Sequence, residues 1–264
     1  MLNDINNDIK EVNIRKIEHF FLDYLKNIKY KGIFGIANFS SVHNNLIPEQ
    51  QEKLRILLQA QFDDFLKLGS IISLGIFYHP EIIECINLVN DGKIDKESWN
   101  KYANEYEYLN KLLKDISNKI AFKFNGIAIP PTTGTPSANV NNVIDYFPKT
   151  ISHRLVAEYA GIGWRGKNEL LITEQFGPAL RLVSILINIP LIQGNRIESK
   201  CGSCRACLDV CHILKNKNNL EDYRENCRKY LVALGLNHDV CGKCIKTCIK
   251  KGIFKDTFGI YQRD

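Results

Sequence analysis

Apolar positions along the first half of the chain recur at helical and strand periods in alternation. Ile14, Ile17, Phe21, Tyr24 and Ile28 step by three and four residues, which places them on one face of a helix starting near Asp8. Gly32 to Ala37 reads as a short buried strand. Pro48 opens a second helix that carries Leu54, Leu58, Phe62 and Phe65 on its core face. Ser70 to Tyr78 is an apolar run ended by Pro80, the signature of a second strand. A third helix is predicted from about Ser98 to Ile120, where Tyr102, Tyr106, Leu109, Leu113, Ile116 and Ile120 share a stripe that reads as core packing.

Beyond a Pro-, Thr- and Asn-rich loop at Pro130 to Asn142, Thr150 to Tyr159 predicts a short helix capped at Ala160–Gly161. Glu169 to Thr173 and Ala179 to Ile189 predict strands joined by a turn at Gly177–Pro178. Ile192 to Lys200 is polar and without period, so it is read as a linker. The expected architecture is an α/β (α+β) domain over residues 1–192, a mixed sheet flanked by helices, followed by a smaller domain over 193–264.

Composition narrows the class. The chain has 264 residues, with 45% hydrophobic and 24% charged, as in a soluble globular protein. The net charge of +6 is that of a solvated, mildly basic surface. The N-terminus lacks an apolar signal core, and the longest apolar run, Leu182 to Ile192, is far short of the roughly 20 residues of a membrane span. The expectation is a cytoplasmic protein with no membrane partner. There nine cysteines do not make a disulfide framework, and eight of them fall between Cys201 and Cys248, which points to metal.

Cys201, Cys204, Cys207 and Cys211 form C-x2-C-x2-C-x3-C, the run of two-cluster bacterial ferredoxins in which the fourth cysteine serves the other cluster. Cys241, Cys244 and Cys248 form C-x2-C-x3-C, and Cys227 completes the count at two sets of four. By analogy with crossed ligation, one [4Fe–4S] cluster takes Cys201, Cys204, Cys207 and Cys248, and the other takes Cys211, Cys227, Cys241 and Cys244. The small domain is therefore expected to be ferredoxin-like. Structural zinc is the competing reading, but zinc modules space their C-x2-C pairs by a longer loop. His212 and Ile249 stand where a proline commonly follows each motif. Cys85 stands apart and reads as a buried small hydrophobe. Lys243, Lys246, Lys250, Lys251 and Lys255 make the second motif basic, a surface for an acidic electron donor or RNA phosphate, or merely a solvated face.

The segment Ala160–Gly161–Ile162–Gly163–Trp164–Arg165–Gly166–Lys167–Asn168, then Leu170–Leu171–Ile172 and the strand reaching Pro190–Leu191, resembles the epoxyqueuosine reductase family, iron–sulfur enzymes related to reductive dehalogenases. Tyr78 and Pro80, and Tyr102–Ala103 with Glu107–Tyr108, resemble that family's upstream motifs. A shorter, double-cluster branch of the family has a His-basic pair, which His153–Arg154 resembles. The resemblance implies reduction of an epoxide on a modified tRNA nucleoside, with cobalamin fed by two [4Fe–4S] clusters. It also implies a corrinoid pocket close to the first cluster, lined by Gly161, Gly163, Trp164, Gly166, Lys167 and Asn168, with Tyr78 nearby. Closely spaced glycines do let a backbone approach a large ligand, although a buried Trp in a tight turn is ordinary.

The family's acidic proton donor aligns without gaps on Phe147, which leaves Asp145 and His153 as candidate acids, against their ordinary readings as a turn aspartate and a helix-face histidine. The chain ends at Asp264, without the extension that longer members use on tRNA. The leading expectation is a reductase supplied by a low-potential donor of ferredoxin or flavodoxin type. A non-catalytic electron carrier and an RNA-binding factor are the rivals.

Overall fold

The computed structural model describes residues 2–87, 93–132 and 140–252, with the side chains of residues 2–10 and 12 left aside. Lys255, most of the Pro130–Asn142 loop and the end of the expected smaller domain lie outside the described residues. Four strands form the main sheet: β1 (Gly32–Asn38), β2 (Ser70–Phe77), β3 (Ile127–Ile129) and β6 (Leu180–Ile187), in the order β1-β2-β6-β3. A separate two-stranded ribbon pairs β4 (Trp164–Arg165) with β5 (Leu171–Ile172).

The α/β class with a helix-flanked sheet is observed, but all three described pairings in the main sheet are antiparallel, not mixed. The connection between β1 and β2 explains this. Its helices, Phe39–His43, Pro48–Leu58 and Phe62–Leu68, are short and do not carry the chain back along the sheet, so β2 starts opposite the end of β1, with Ser70 facing Asn38. The single helix expected after Pro48 is broken at Gln59, whose φ is +47°, and by a 3₁₀ turn over Gln59–Gln61. The break lets Phe62 and Phe65 both reach Phe39, at ring-centroid distances of 6.0 and 5.4 Å.

Strand alternation divides the core into two layers. Ile72, Leu74 and Ile76 of β2, with Val183, Ile185 and Ile187 of β6, face the helices Leu2–Ile28 and Lys96–Lys123. Ile71, Phe77, Leu180 and Leu186 face the opposite way, against the short helices and helix His153–Tyr159. The long helix starts where Asp95 caps it, accepting from the Ser98 backbone N–H at 3.2 Å and the Ser98 hydroxyl at 2.6 Å. Its predicted stripe is buried, extended backwards by Trp99, whose indole donates to the Asn87 carbonyl at 2.7 Å.

The segment after β6 is not a free tether. The Leu191 N–H donates to Ser70 Oγ at 3.0 Å and the Gly194 N–H to the Ile36 carbonyl at 2.9 Å, so the chain is pinned along the sheet on its way to the first cysteine. Leu234, Val240, Ile245 and Ile249 then join the same core as Trp99 and Tyr102. Helix Tyr223–Leu234, for which no periodicity was noted, is bounded by an Asp222 cap and by Gly235 in the left-handed region.

Gly194 lies so close to the glycine-rich segment that a Cβ on it would stand 2.1 Å from the Ala160 carbonyl oxygen, whereas a Cβ on Gly202, at φ +47°, meets nothing within 4 Å. Gly194→Ala is therefore expected to cost about 3 kcal/mol through backbone overpacking, and Gly202→Ala only about 1 kcal/mol of left-handed strain. Urea denaturation of both variants checks this ordering, and equal losses would contradict it.

Candidate functional site

The cysteines fall into two groups in space. Cys201 and Cys204 lie in a turn, with the Cys204 N–H donating to the Cys201 carbonyl at 2.9 Å, and Cys207 follows on helix Ala206–Val210. With Cys248 they line one small cavity. Cys211, Cys227, Cys241 and Cys244 instead line a second, much larger cavity. Cys244 and Cys248 share helix Lys243–Lys251, and one helical turn, about 5.4 Å, separates the group each serves.

All nine cysteines are free thiols. A single tetrahedral ion needs its sulfurs about 2.3 Å from one point, and no three of the described His, Cys, Asp and Glu side chains converge that closely. The two sets instead surround spaces, as thiolates around a larger body would. Electrostatic neighbours follow the same division. Burial, then Cys207, Cys201 and Cys204, pushes the Cys248 thiol up to about 12. Burial, then Cys241 and Cys211, pushes Cys227 up to about 12. Cys244 is raised well above its usual value by burial, then mainly by its own set, with Cys207 of the other set also acting on it. Thiols held in this way ionise only with a cationic centre to compensate them.

Cys85 is not the buried hydrophobe expected. It is half-buried at the end of helix Pro80–Glu84, where its thiol donates to the Glu81 carbonyl at 3.3 Å. The basic face of the second motif is partly committed internally. Lys246 donates to the Glu84 carbonyl and to Asn87, and Lys250 pairs with Glu84.

The large cavity has a volume of about 830 Å³, toward the upper end for small-molecule sites. Tyr78, Asn168, His153 and Phe147 line it. The glycines of the predicted corrinoid loop do not. A Cβ on Gly161 would stand 2.4 Å from the Asn195 carbonyl oxygen, one on Gly163 2.3 Å from that of Ile172, and one on Gly166 2.6 Å from the Asn168 amide oxygen. These glycines serve close packing of the segment on its neighbours. Trp164 is buried with Ile172 against Cys201 and Cys248, and Lys167 donates to the Gly202 and Cys204 carbonyls at 2.6 and 2.9 Å. The segment thus buttresses the first cysteine group, and only Arg165 and Asn168 of its glycine-rich part reach the large cavity. That cavity adjoins the second group rather than the first.

Neither candidate acid is available as an acid. Asp145 is exposed, away from the cavity lining, and its carboxylate accepts from the Asn142 N–H at 3.0 Å in a capping box that starts a 3₁₀ turn. His153 is buried with both ring nitrogens engaged, Nδ1 with Ser184 Oγ at 2.8 Å and Nε2 with the Pro130 carbonyl at 2.9 Å. Because a carbonyl only accepts, Nε2 carries the proton and Ser184 donates to Nδ1. Burial pushes its pKa down to about 4, so the ring is neutral at pH 7.

The pattern reading did not single out Arg181. It lines the cavity among Tyr78, Tyr102, Tyr106 and Tyr146. Its guanidinium lies 3.9 Å from the centroid of the Tyr106 ring, and it donates from Nε to Asn110 Oδ1 at 3.1 Å and from Nη2 to the Thr132 carbonyl at 2.5 Å. Burial alone would lower its pKa, but the surrounding phenols, Tyr106 first, leave it raised overall, so it stays a cation. The available signal was a charged residue inside an apolar strand, Leu180–Arg181–Leu182.

No family model matches the chain. It is 41% identical to the epoxyqueuosine reductase of Bacillus anthracis over 76 residues, 29% of this chain and 20% of that protein. It is 29% identical to the epoxyqueuosine reductase of Escherichia coli (strain K12) over 141 residues, 53% of this chain and 34% of that protein. The chain therefore matches about a third or less of the length of these relatives. Among solved structures, a selenomethionine-labelled epoxyqueuosine reductase aligns over 89% of this chain and 65% of its own, at 17% identity and a TM-score of 0.48.

The His153 arrangement makes a pH prediction. A histidine with a pKa near 4 when folded and about 6.5 when unfolded contributes stability that is complete above pH 6.5 and declines as the pH falls toward 4. Between pH 6.5 and 5 the wild type should lose about 2 kcal/mol more than His153→Gln. Parallel chemical denaturation of the two proteins checks this, and superimposable pH profiles would refute it.

Proposed function

We propose that this epoxyqueuosine reductase-like protein is an iron–sulfur oxidoreductase that reduces a molecule held in the 830 Å³ cavity. One [4Fe–4S] cluster is held by Cys201, Cys204, Cys207 and Cys248, and the other by Cys211, Cys227, Cys241 and Cys244. The clusters, when bound, supply one-electron transfer at low potential. The carrying observation is that the four cysteines of the second set form part of the wall of the large cavity, so a centre held there adjoins whatever the cavity contains. Electrons from a donor of ferredoxin or flavodoxin type enter at the first set and pass to the second.

The chain's own groups do the remaining work. Lys167 fixes the loop of Cys201 and Cys204 by its two carbonyl contacts, and Trp164 excludes water from the Cys201–Cys248 side. His153 holds Ser184 and the Pro130 carbonyl in place as a neutral ring. The glycines expected to line a corrinoid pocket do not line this cavity. tRNA as the carrier of the substrate is part of the proposal by sequence likeness to proteins named epoxyqueuosine reductase. A non-catalytic electron carrier would leave the cavity without a role.

Anaerobic purification followed by iron, sulfide and cobalt analysis tests the reading. Roughly eight irons per chain are expected. Cys227→Ala and Cys248→Ala should each lose about half of that iron, while Cys85→Ala keeps it all. Zinc, or no metal, in protected wild-type protein would end the redox interpretation.

A further inference from the structure

Arg181 is a cation on the cavity wall with no ion-pair partner among the described residues. Glu107 reaches it only through Asn110, whose amide donates to the Glu107 carboxylate at 3.3 Å. A charge half-buried in a cavity wall in this state is costly unless something of opposite sign completes it. Its Nη1 group makes no hydrogen bond to the described residues, and Nη2 spends one hydrogen on Thr132. Beside it lies the Tyr78 hydroxyl, on a side chain 4% exposed, whose ring faces Tyr102 at 5.2 Å between centroids and which has no hydrogen bond of ordinary length among the described residues. Two needs unmet by the described residues thus meet in one wall, a positive charge without a counter-charge and a phenol without a close acceptor.

We infer that Arg181 and Tyr78 form an oxyanion site, and that the molecule taken into the cavity carries a phosphate group there. Three free guanidinium N–H bonds and one phenol O–H offer up to four donors to an oxyanion, and the fixed positive charge favours the more highly charged phosphate over a carboxylate. Arg181 presents its fork with Nε and Nη2 already anchored, so little is lost in ordering it. Tyr106 stacks on the guanidinium and keeps its plane fixed. The inference deepens the reading that the cavity is the substrate site, and rests on it, but it needs no electron transfer to be tested.

The test is calorimetric titration of the anaerobically purified full chain with inorganic phosphate, with acetate as the competing oxyanion and iron content measured on every sample. Saturable, single-site phosphate binding is expected, stronger than acetate binding. Arg181→Gln should weaken it about tenfold or more, and Arg181→Lys by less. Tyr78→Phe, which removes one oxygen and leaves the ring, should weaken it about threefold to tenfold. Wild-type protein that shows no saturable phosphate binding would overturn the inference even if Arg181→Gln fails to fold. So would tighter binding of acetate, or an Arg181→Gln variant that shifts only the reduction potential of the centre at Cys241 and Cys244. Phosphate binding without iron would instead sink the redox reading and leave the anion site standing.

Discussion

Helix Lys243–Lys251 is the constraint on which the arrangement rests. Ile245 and Ile249 are buried in the core that also holds Trp99 and Tyr102, so the helix cannot rotate without emptying that core. Cys244 and Cys248 sit one position before each of them, and their spacing by one turn sends them to different groups. The register that buries the isoleucines therefore also divides the cysteines. Gly242 tightens the same contact, since a Cβ there would stand 2.1 Å from the end of Ile86. Cysteine placement and core packing are in this way one problem rather than two.

The same economy governs the glycine-rich segment. Its glycines let Ala160 to Asn168 lie directly on residues 194–195 and on β5. That contact presents Trp164 and Lys167 to the Cys201 loop. A motif read from family likeness as a ligand pocket thus acts here as a bracket between the sheet and the first cysteine group. The larger cavity opens on the other side of Asn168, which lines both cavities and whose buried amide nitrogen has no hydrogen-bond partner among the described residues.

Much of this was legible in the pattern of residues. The three- and four-residue steps of helix Lys96–Lys123 and the continuous apolar run of β2 correspond to real elements, because each buries a whole face. The crossed division of the cysteines was expected only by analogy with crossed ligation, since spacing alone leaves the pairing open. What could not be read depends on contacts distant in sequence. The direction of each strand follows from how the connecting helices fold over one end. The state of His153 follows from Ser184 and Pro130, 31 and 23 residues away. Asp145 and His153 have the right chemistry for an acid, but their partners withdraw both. Arg181 was visible as a charge in an apolar strand, yet its significance lies in the four tyrosines around it, which come from three separate stretches of chain.

Those withdrawals shape what the cavity can do. Phe147 stands where the sequence resemblance placed an acid, Asp145 is spent on a cap and His153 is neutral, while the wall offers phenols, a guanidinium and the Asp239 carboxylate, whose Oδ2 has no hydrogen-bond partner among the described residues. Glu169, the lining carboxylate beside Asn168, is tied to Arg165 and Lys217 and held below the usual carboxylate range, its two pairings outweighing burial. Reduction adds negative charge to the molecule being reduced. In a low-dielectric cavity that charge is costly unless a fixed positive group is already in place. Arg181 is such a group, held in place by Asn110 and Thr132, so under the proposed reading the cavity meets the electrostatic demand of reduction.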